Sequence, residues 1–172
     1  MVLGMSLATF TLLHVGISLI GIATGFVAVY GMLNADRLAA WTAVFLATTV
    51  LTSVTGFLFP FEKLLPSHIF GIISLPLLAV AILGLYAFRL AGPWRWIYVV
   101  TALVALYLNT FVAVVQAFLK IPPISALAPT QSEPPFLVAQ LLLLAIFVGL
   151  GVLAVRRFRP STAAPALISP AA

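Results

Sequence analysis

Residues 5–33 read MSLATFTLLHVGISLIGIATGFVAVYGML, an uninterrupted run without Asp, Glu, Lys or Arg. A helix needs about 20 mostly apolar residues to cross the ~30 Å hydrocarbon layer of a membrane, and this run is longer than that. It ends at the polar sequence NADR, residues 34–37. The run therefore predicts a membrane-spanning helix.

Four further runs of this kind follow along the chain, at residues 38–59, 66–88, 94–119 and 136–155. Pro60, Gly92-Pro93 and two proline pairs separate them, and prolines end helices. The runs are too long for strands and do not alternate in hydropathy. The predicted fold is an all-α integral membrane protein, a bundle of five transmembrane helices in one domain of residues 1–159. Residues 160–172 predict a disordered tail, since Pro, Ala and Ser dominate them.

The composition points the same way, because 64% of the 172 residues are hydrophobic and only 6% are charged. A soluble domain carries about a quarter charged residues, so soluble enzyme folds are excluded. Without cysteine, thiolate metal sites and cysteine nucleophiles are excluded as well. The basic residues are scattered rather than aligned, so no nucleic-acid partner is expected.

The distribution of basic residues between the two ends of the spans predicts an orientation. Five spans place six arginines on one side and only Lys63 and Lys120 on the other. Because Lys and Arg concentrate in cytoplasmic loops, the N-terminus is predicted outside and the C-terminus in the cytoplasm.

Several polar side chains are predicted at similar depth in the outer half of the bundle. Counting 1.5 Å per residue from the opposite boundary puts His14, His68 and Gln116 about 30 Å away, near the outer edge of the hydrocarbon. The polar residues expected to converge with the histidines on one pocket are Asn109, Gln116, Gln140, Thr52 and Thr55. Two interpretations stay open. These groups hydrogen-bond the helices together, at about 0.6 kcal/mol each, or they line a ligand pocket open to the periplasm.

The two histidines suggest a cofactor as one alternative. Two imidazoles on neighbouring helices are the axial arrangement of a b-type haem, which makes His14 and His68 candidate cofactor-binding residues, while a metal stays undetermined. In the other interpretation they are boundary residues that reach interfacial water. Catalysis has little support, because no carboxylate lies in any span and no His-Glu-x-x-His motif is present.

A polar segment rich in proline precedes the fifth span: residues 128–136 read APTQSEPPF. We expect an ordered loop, either a connection in which Thr130 or Ser132 caps the fifth helix and Glu133 lies at its positive end, or a lid over the outer pocket. Gln131 belongs to the same segment.

The segments TGFLFPF at 55–61, PSH at 66–68, WRWIY at 94–98 and the loop at 128–136 resemble small, uncharacterised multispanning proteins of bacterial inner membranes. The resemblance covers residues 8–158. It implies a bacterial source and this topology, and carries no activity across. A looser similarity to small b-type cytochromes rests on helix number and histidine placement.

Three classes of function follow. The first is a non-catalytic accessory or assembly subunit, in a larger membrane complex or a homo-oligomer, with the lipid bilayer as its surroundings. The second is a haem- or quinone-binding redox protein that uses His14 and His68. The third is a small-solute transporter or channel.

Overall fold

The protein is an all-α integral membrane protein whose computed structural model describes residues 2–59 and 66–160, with the backbone alone at Pro66 and Ser67. Five helices of the described chain are long and apolar enough to span a membrane. In chain order the helices are α1 (Leu7–Leu33), α2 (Ala39–Gly56), α3 (Pro66–Ile82), α4 (Trp94–Lys120), α5 (Pro122–Ser125) and α6 (Pro134–Arg157). The predicted tail falls on residues 160–172, of which 161–172 lie outside the described residues.

The helix boundaries differ from the predicted spans by up to three residues, except at the end of α3, which lies six residues before the predicted end. Helix α2 ends at Gly56 because the N–H of Phe57 bonds to the Val54 carbonyl, three residues back, which tightens the last turn. Helix α6 starts earlier than predicted, since prolines occupy its first positions, where the missing N–H costs nothing. Helix α3 continues into a π-helical turn, Leu83–Ala87, before the chain reverses.

Helices α1 to α4 form a four-helix ring, in which each helix packs against the next and α4 closes back on α1. Helix α6 lies outside this ring, against α4 and α1. We call the end of the bundle at which α1 begins the N-side and the opposite end the C-side. The N-side thus holds the end of α2, the start of α3, the end of α4 and the start of α6.

The C-side half of the ring is a close-packed apolar core. Val99, Ala105 and Leu106 on α4 are completely buried, and Tyr98 and Ala102 are 1% exposed. Arg95 fastens α6 to this half, because its Nη1 donates to the carbonyls of Val155 (2.8 Å) and Phe158 (2.7 Å). These carbonyls lie at the end of α6, where orphan acceptors need a donor.

Gly25 marks the N-side limit of this core. A Cβ placed there would lie 2.5 Å from Leu106 Cδ1 and 2.9 Å from Phe45 Cδ2, so only glycine lets α1 approach α2 and α4 this closely. One turn nearer the N-side, at Gly21, the neighbours change to polar atoms of Thr48, Thr49 and Asn109. The site described next begins at this level.

Candidate functional site: a polar cavity between four helices

A cavity of about 60 Å³ lies in the N-side half of the ring, between α1, α2, α3 and α4. A water molecule takes up about 30 Å³ in the liquid, so the cavity has room for about two. Its lining is mainly hydroxyls, small residues, one amide and one imidazole. The lining residues are His14, Ser18, Thr49, Thr52, Ser53, Gly56, Phe70, Gly71, Ser74, Leu108, Asn109 and Val112.

At the deep end of the cavity, Asn109 connects α4 to α1. Ser18 Oγ donates to Asn109 Oδ1 at 2.8 Å, and Asn109 Nδ2 lies 3.5 Å from the Ser18 carbonyl. A Cβ at Gly21 would lie 3.4 Å from Asn109 Nδ2 and 3.1 Å from Thr48 Oγ1, so the glycine leaves room for the amide. The buried amide is therefore satisfied by a neighbouring helix, as intramembrane amides require.

Nearer the N-side, His14 connects α1 to α2. Its Nδ1 lies 2.8 Å from Thr55 Oγ1, and that hydroxyl already donates its proton to the Leu51 carbonyl at 2.7 Å. Thr55 must then accept from His14, which assigns a proton to Nδ1. In the neutral ring this leaves the lone pair on Nε2, on a side chain that lines the cavity.

Helix α2 supplies most of the hydroxyls, and most of them are bonded to their own helix. Thr49 donates to the Phe45 carbonyl at 2.7 Å and Ser53 to the Thr49 carbonyl at 3.0 Å. Thr52 differs, because its Oγ1 is buried and has no hydrogen-bond partner among the described residues. The Thr52 hydroxyl is thus the lining group most able to bond to a cavity occupant.

His68 is buried, at 1% exposure, but it is not among the residues that line the cavity. Its ring stacks on Phe57, with centroids 6.0 Å apart, and Phe57 in turn packs against Gly71. His14 meets a different ring, the edge of Phe59, with centroids 5.2 Å apart. The two imidazoles are therefore each packed against their own phenylalanine.

This arrangement does not fit a b-type haem. Pockets for drug-sized ligands enclose about 300–1,000 Å³, and a porphyrin needs at least that, whereas the cavity encloses about 60 Å³ and has only one of the two histidines in its wall. Within the described residues there is also no group of three or more His, Cys, Asp and Glu side chains able to hold a metal ion. Haem ligation by His14 and His68 stays a prediction that this geometry does not favour.

Of the predicted pocket residues, the structure brings some together and separates others. Asn109 and Thr52 line the cavity, and Thr55 reaches it through His14. Gln116 is exposed, one turn from the end of α4, and does not line it. Gln140 is buried on α6, outside the four-helix ring, and both its amide atoms lack a hydrogen-bond partner among the described residues. Equal depth did not imply a common face.

The loop before α6 is ordered, but none of Thr130, Gln131, Ser132 and Glu133 lines the cavity. Glu133 itself takes the N-cap position: its carbonyl accepts from the N–H of Phe136 at 3.1 Å, and its side chain makes no capping bond to the helix. Its carboxylate accepts from the N–H of Thr130 (3.1 Å), the N–H of Ser132 (3.1 Å) and the Thr130 hydroxyl (2.9 Å). Gln131 Nε2 donates to the Val115 carbonyl at 3.0 Å, which fastens the loop to α4. The loop is therefore better described as a connection between helices than as a lid over the cavity.

The carboxylate of Glu133 is stabilised in its charged form. Desolvation is the largest single influence and raises its pKa, but the hydrogen bonds from the backbone and from the Thr130 hydroxyl together outweigh it, and the net pKa lies below the ordinary value. Hydrogen bonds donated to a carboxylate favour ionisation.

Sequence reasoning missed Ser18, Thr49, Ser53 and Ser74 as cavity residues. The spacing contained a signal for Ser18, which follows His14 by four residues. Residues four apart share a helix face. Serines were passed over since they carry no charge and no distinctive chemistry, although small hydroxyls commonly occur between membrane helices.

No protein-family model, curated protein or solved structure matches the chain. The fold and the site therefore define the class by themselves. The protein is an integral membrane bundle of five spanning helices, with a small polar cavity between the first four.

Proposed function

We propose that the protein is a non-catalytic accessory or assembly subunit, within a larger membrane complex or a homo-oligomer. The observation that carries the proposal is the size and bonding of the polar cavity: about 60 Å³, walled by groups that mostly bond to their own or a neighbouring helix. The bonds between helices, such as that of Ser18 to Asn109, hold the helices in register in lipid, where burial of apolar surface contributes little.

The direction of the hydrogen bond between His14 and Thr55 argues against nucleophilic catalysis. An activated hydroxyl gives its proton to a neighbouring base, with base and oxygen in hydrogen-bond reach. Here the Thr55 proton goes to the Leu51 carbonyl, and His14 donates to the oxygen instead of withdrawing a proton from it. The pair is a link between α1 and α2.

The C-side core argues against a pore through the ring. Below Asn109, the α4 residues Leu106, Ala105 and Ala102 are at most 1% exposed. Packing at this density leaves no space for water. The cavity therefore ends in the middle of the ring, as a pocket does.

We further propose that the membrane is a bacterial inner membrane, with the N-side facing the periplasm. The six arginines all belong to the C-side turns and tail, and the resemblance of the sequence to bacterial inner-membrane proteins supports the source. A reporter fused to the C-terminus tests the orientation: a cytoplasmic reporter is expected to be active there, and an active periplasmic reporter would contradict it.

The test of the subunit role is native electrophoresis of the tagged protein, extracted from its own membranes in a mild detergent. We expect a discrete assembly well above the 18.3 kDa of one chain. A chain that migrates as a monomer would contradict the proposal. The same sample is scanned from 350 to 700 nm, where a Soret band lost in His14→Ala and His68→Ala would favour the redox alternative.

A second candidate, binding of a small neutral solute, rests on the free Oγ1 of Thr52 and the Nε2 lone pair assigned to His14. These two groups can bond to an occupant no larger than about two waters. Binding of formamide, a neutral solute of about this size, to the protein in detergent micelles, abolished by Ser53→Leu, would favour this candidate over the subunit role.

A further inference from the structure

A second and larger recess lies on the outside of the bundle, between α4 and α6. It encloses about 440 Å³, and its surface is almost entirely apolar. Aliphatic and aromatic side chains form its walls, among them Leu103 and Tyr107 on α4 and Leu144 and Phe147 on α6. At Gly151, which lines the recess, a Cβ would meet no atom within 4 Å, so the glycine leaves the groove open at this level.

The groove matches one leaflet of a bilayer in length and position. On α6 it runs from Arg156, at the C-side end, to Leu144, near the middle of the helix. Twelve residues at 1.5 Å each make about 18 Å, close to half of the ~30 Å hydrocarbon thickness. On α4 it likewise ends at Tyr107, near the middle of that helix. An occupant thus begins at headgroup level and ends near the midplane.

The one residue of the groove wall with a charged side chain is Arg156, at the headgroup end, and it lines the apolar groove surface through its carbon atoms. The Arg95 guanidinium lies at the same end, on the Val155 carbonyl, and so adds a second positive charge nearby. The rest of the C-side turns and tail are also rich in arginine. The positive charge at the C-side end of the groove favours an anion there. Basic pockets between membrane helices attract acidic lipid headgroups.

We propose that the α4–α6 groove is a binding site for an anionic phospholipid, with one acyl chain along Gly151 and the headgroup phosphate at Arg156. Length and charge favour this occupant over a second protein helix. A helix is about 10 Å wide, has no need of a single cationic end and would have to cross both leaflets. The site is independent of the polar cavity and of the proposed subunit role.

The test is native mass spectrometry of the intact protein, released from nanodiscs of equal parts phosphatidylglycerol and phosphatidylcholine. The wild type is expected to retain one phosphatidylglycerol in preference to phosphatidylcholine. Arg156→Gln should lower that preference about fivefold, the effect of one interfacial cation. Gly151→Leu should remove the retained lipid of either kind, because the new side chain fills the groove.

Matched controls are available one and two residues away. Arg157→Gln removes the same charge from a residue outside the groove wall, and Gly149→Leu adds the same bulk at a glycine with equally open surroundings. Both are expected to retain the lipid as the wild type does. Equal effects of the two arginine variants, or of the two glycine variants, would overturn the site. A dimer in the wild type that Gly151→Leu converts to monomers would identify a second copy as the occupant and overturn it as well.

Discussion

The two halves of the four-helix ring hold the same helices together by different kinds of contact. On the C-side, α4 presents Val99, Ala102 and Leu106, and the contacts are apolar and close. On the N-side, the same helix presents Asn109, and the contacts run through Ser18, His14 and Thr55 around a cavity. A membrane helix can thus be held by shape in one half and by hydrogen bonds in the other.

The comparison shows where apolar packing holds the helices together and where hydrogen bonds do. Close apolar packing needs small residues at the crossing points, and Gly25 provides one. In the N-side half, the Ser18–Asn109 and His14–Thr55 hydrogen bonds connect neighbouring helices beside the cavity.

The largest predicted effect is a cavity mutation in the C-side half. Leu106→Ala should lower the free energy of unfolding by about 2–5 kcal/mol, because Leu106 is completely buried and the void would have no lipid to fill it. Leu142→Ala is the control, at a residue 59% exposed on α6. Denaturant titration in detergent measures the free energy of unfolding of both variants. Similar losses in the two would contradict the prediction that the C-side core dominates stability.

The second prediction concerns an amide outside both regions. Gln140→Leu should stabilise the protein by about 1–3 kcal/mol, since it removes two buried amide atoms without hydrogen-bond partners among the described residues. Gln116→Leu, at the exposed glutamine of α4, should change stability by less than about 0.5 kcal/mol. A destabilised Gln140→Leu would mean that this amide makes a bond in the membrane, for instance to water or to a partner.

A double-mutant cycle on Ser18 and Asn109 measures the strength of an N-side link. The coupling between Ser18→Ala and Asn109→Ala should be about 0.6 kcal/mol and at most about 1.7, the range found for hydrogen bonds between membrane helices. Coupling of several kcal/mol would instead make the N-side half the stronger of the two. A coupling of zero would mean that the hydrogen bond between Ser18 and Asn109 does not stabilise the protein.

The smallest effect is a pH dependence at the N-side end of α6. Because the Glu133 pKa is lowered in the folded protein, its contribution is complete above the ordinary value of 4.5 and is lost as the pH falls through the lowered pKa. Hydrogen exchange of the Thr130 and Ser132 amides, corrected for intrinsic rates, should show protection at pH 7 that Glu133→Ala removes, because alanine has no side-chain acceptor. Equal protection in both proteins would contradict this role.

The fold was largely predictable from the sequence, and the site only in part. Span length and proline breaks depend on local sequence, so α1 and α4 begin and end close to the predicted positions. The site depends on which way each side chain points after packing. Gln116 and Asn109 lie seven residues apart, on one predicted face, yet only Asn109 faces three neighbouring helices. Depth can be counted along a chain, whereas helix rotation cannot.

The haem interpretation illustrates the same limit. His14 and His68 are predicted at one depth, but Phe59 packs against His14 and Phe57 against His68, and both phenylalanines follow the end of α2 at Gly56. Residue spacing within one helix gave no sign of these contacts, because they depend on where a different helix stops.

The contrast between a hydrated N-side pocket and a dry C-side core can be tested directly, since the chain has no native cysteine. Single variants Ser18→Cys, in the cavity wall, and Ala102→Cys, in the core, are exposed to silver ion and then unfolded and labelled with a maleimide. We predict that silver blocks labelling at position 18 and leaves position 102 fully reactive. Blocking at both positions, which indicates a continuous aqueous path, or at neither would contradict the account.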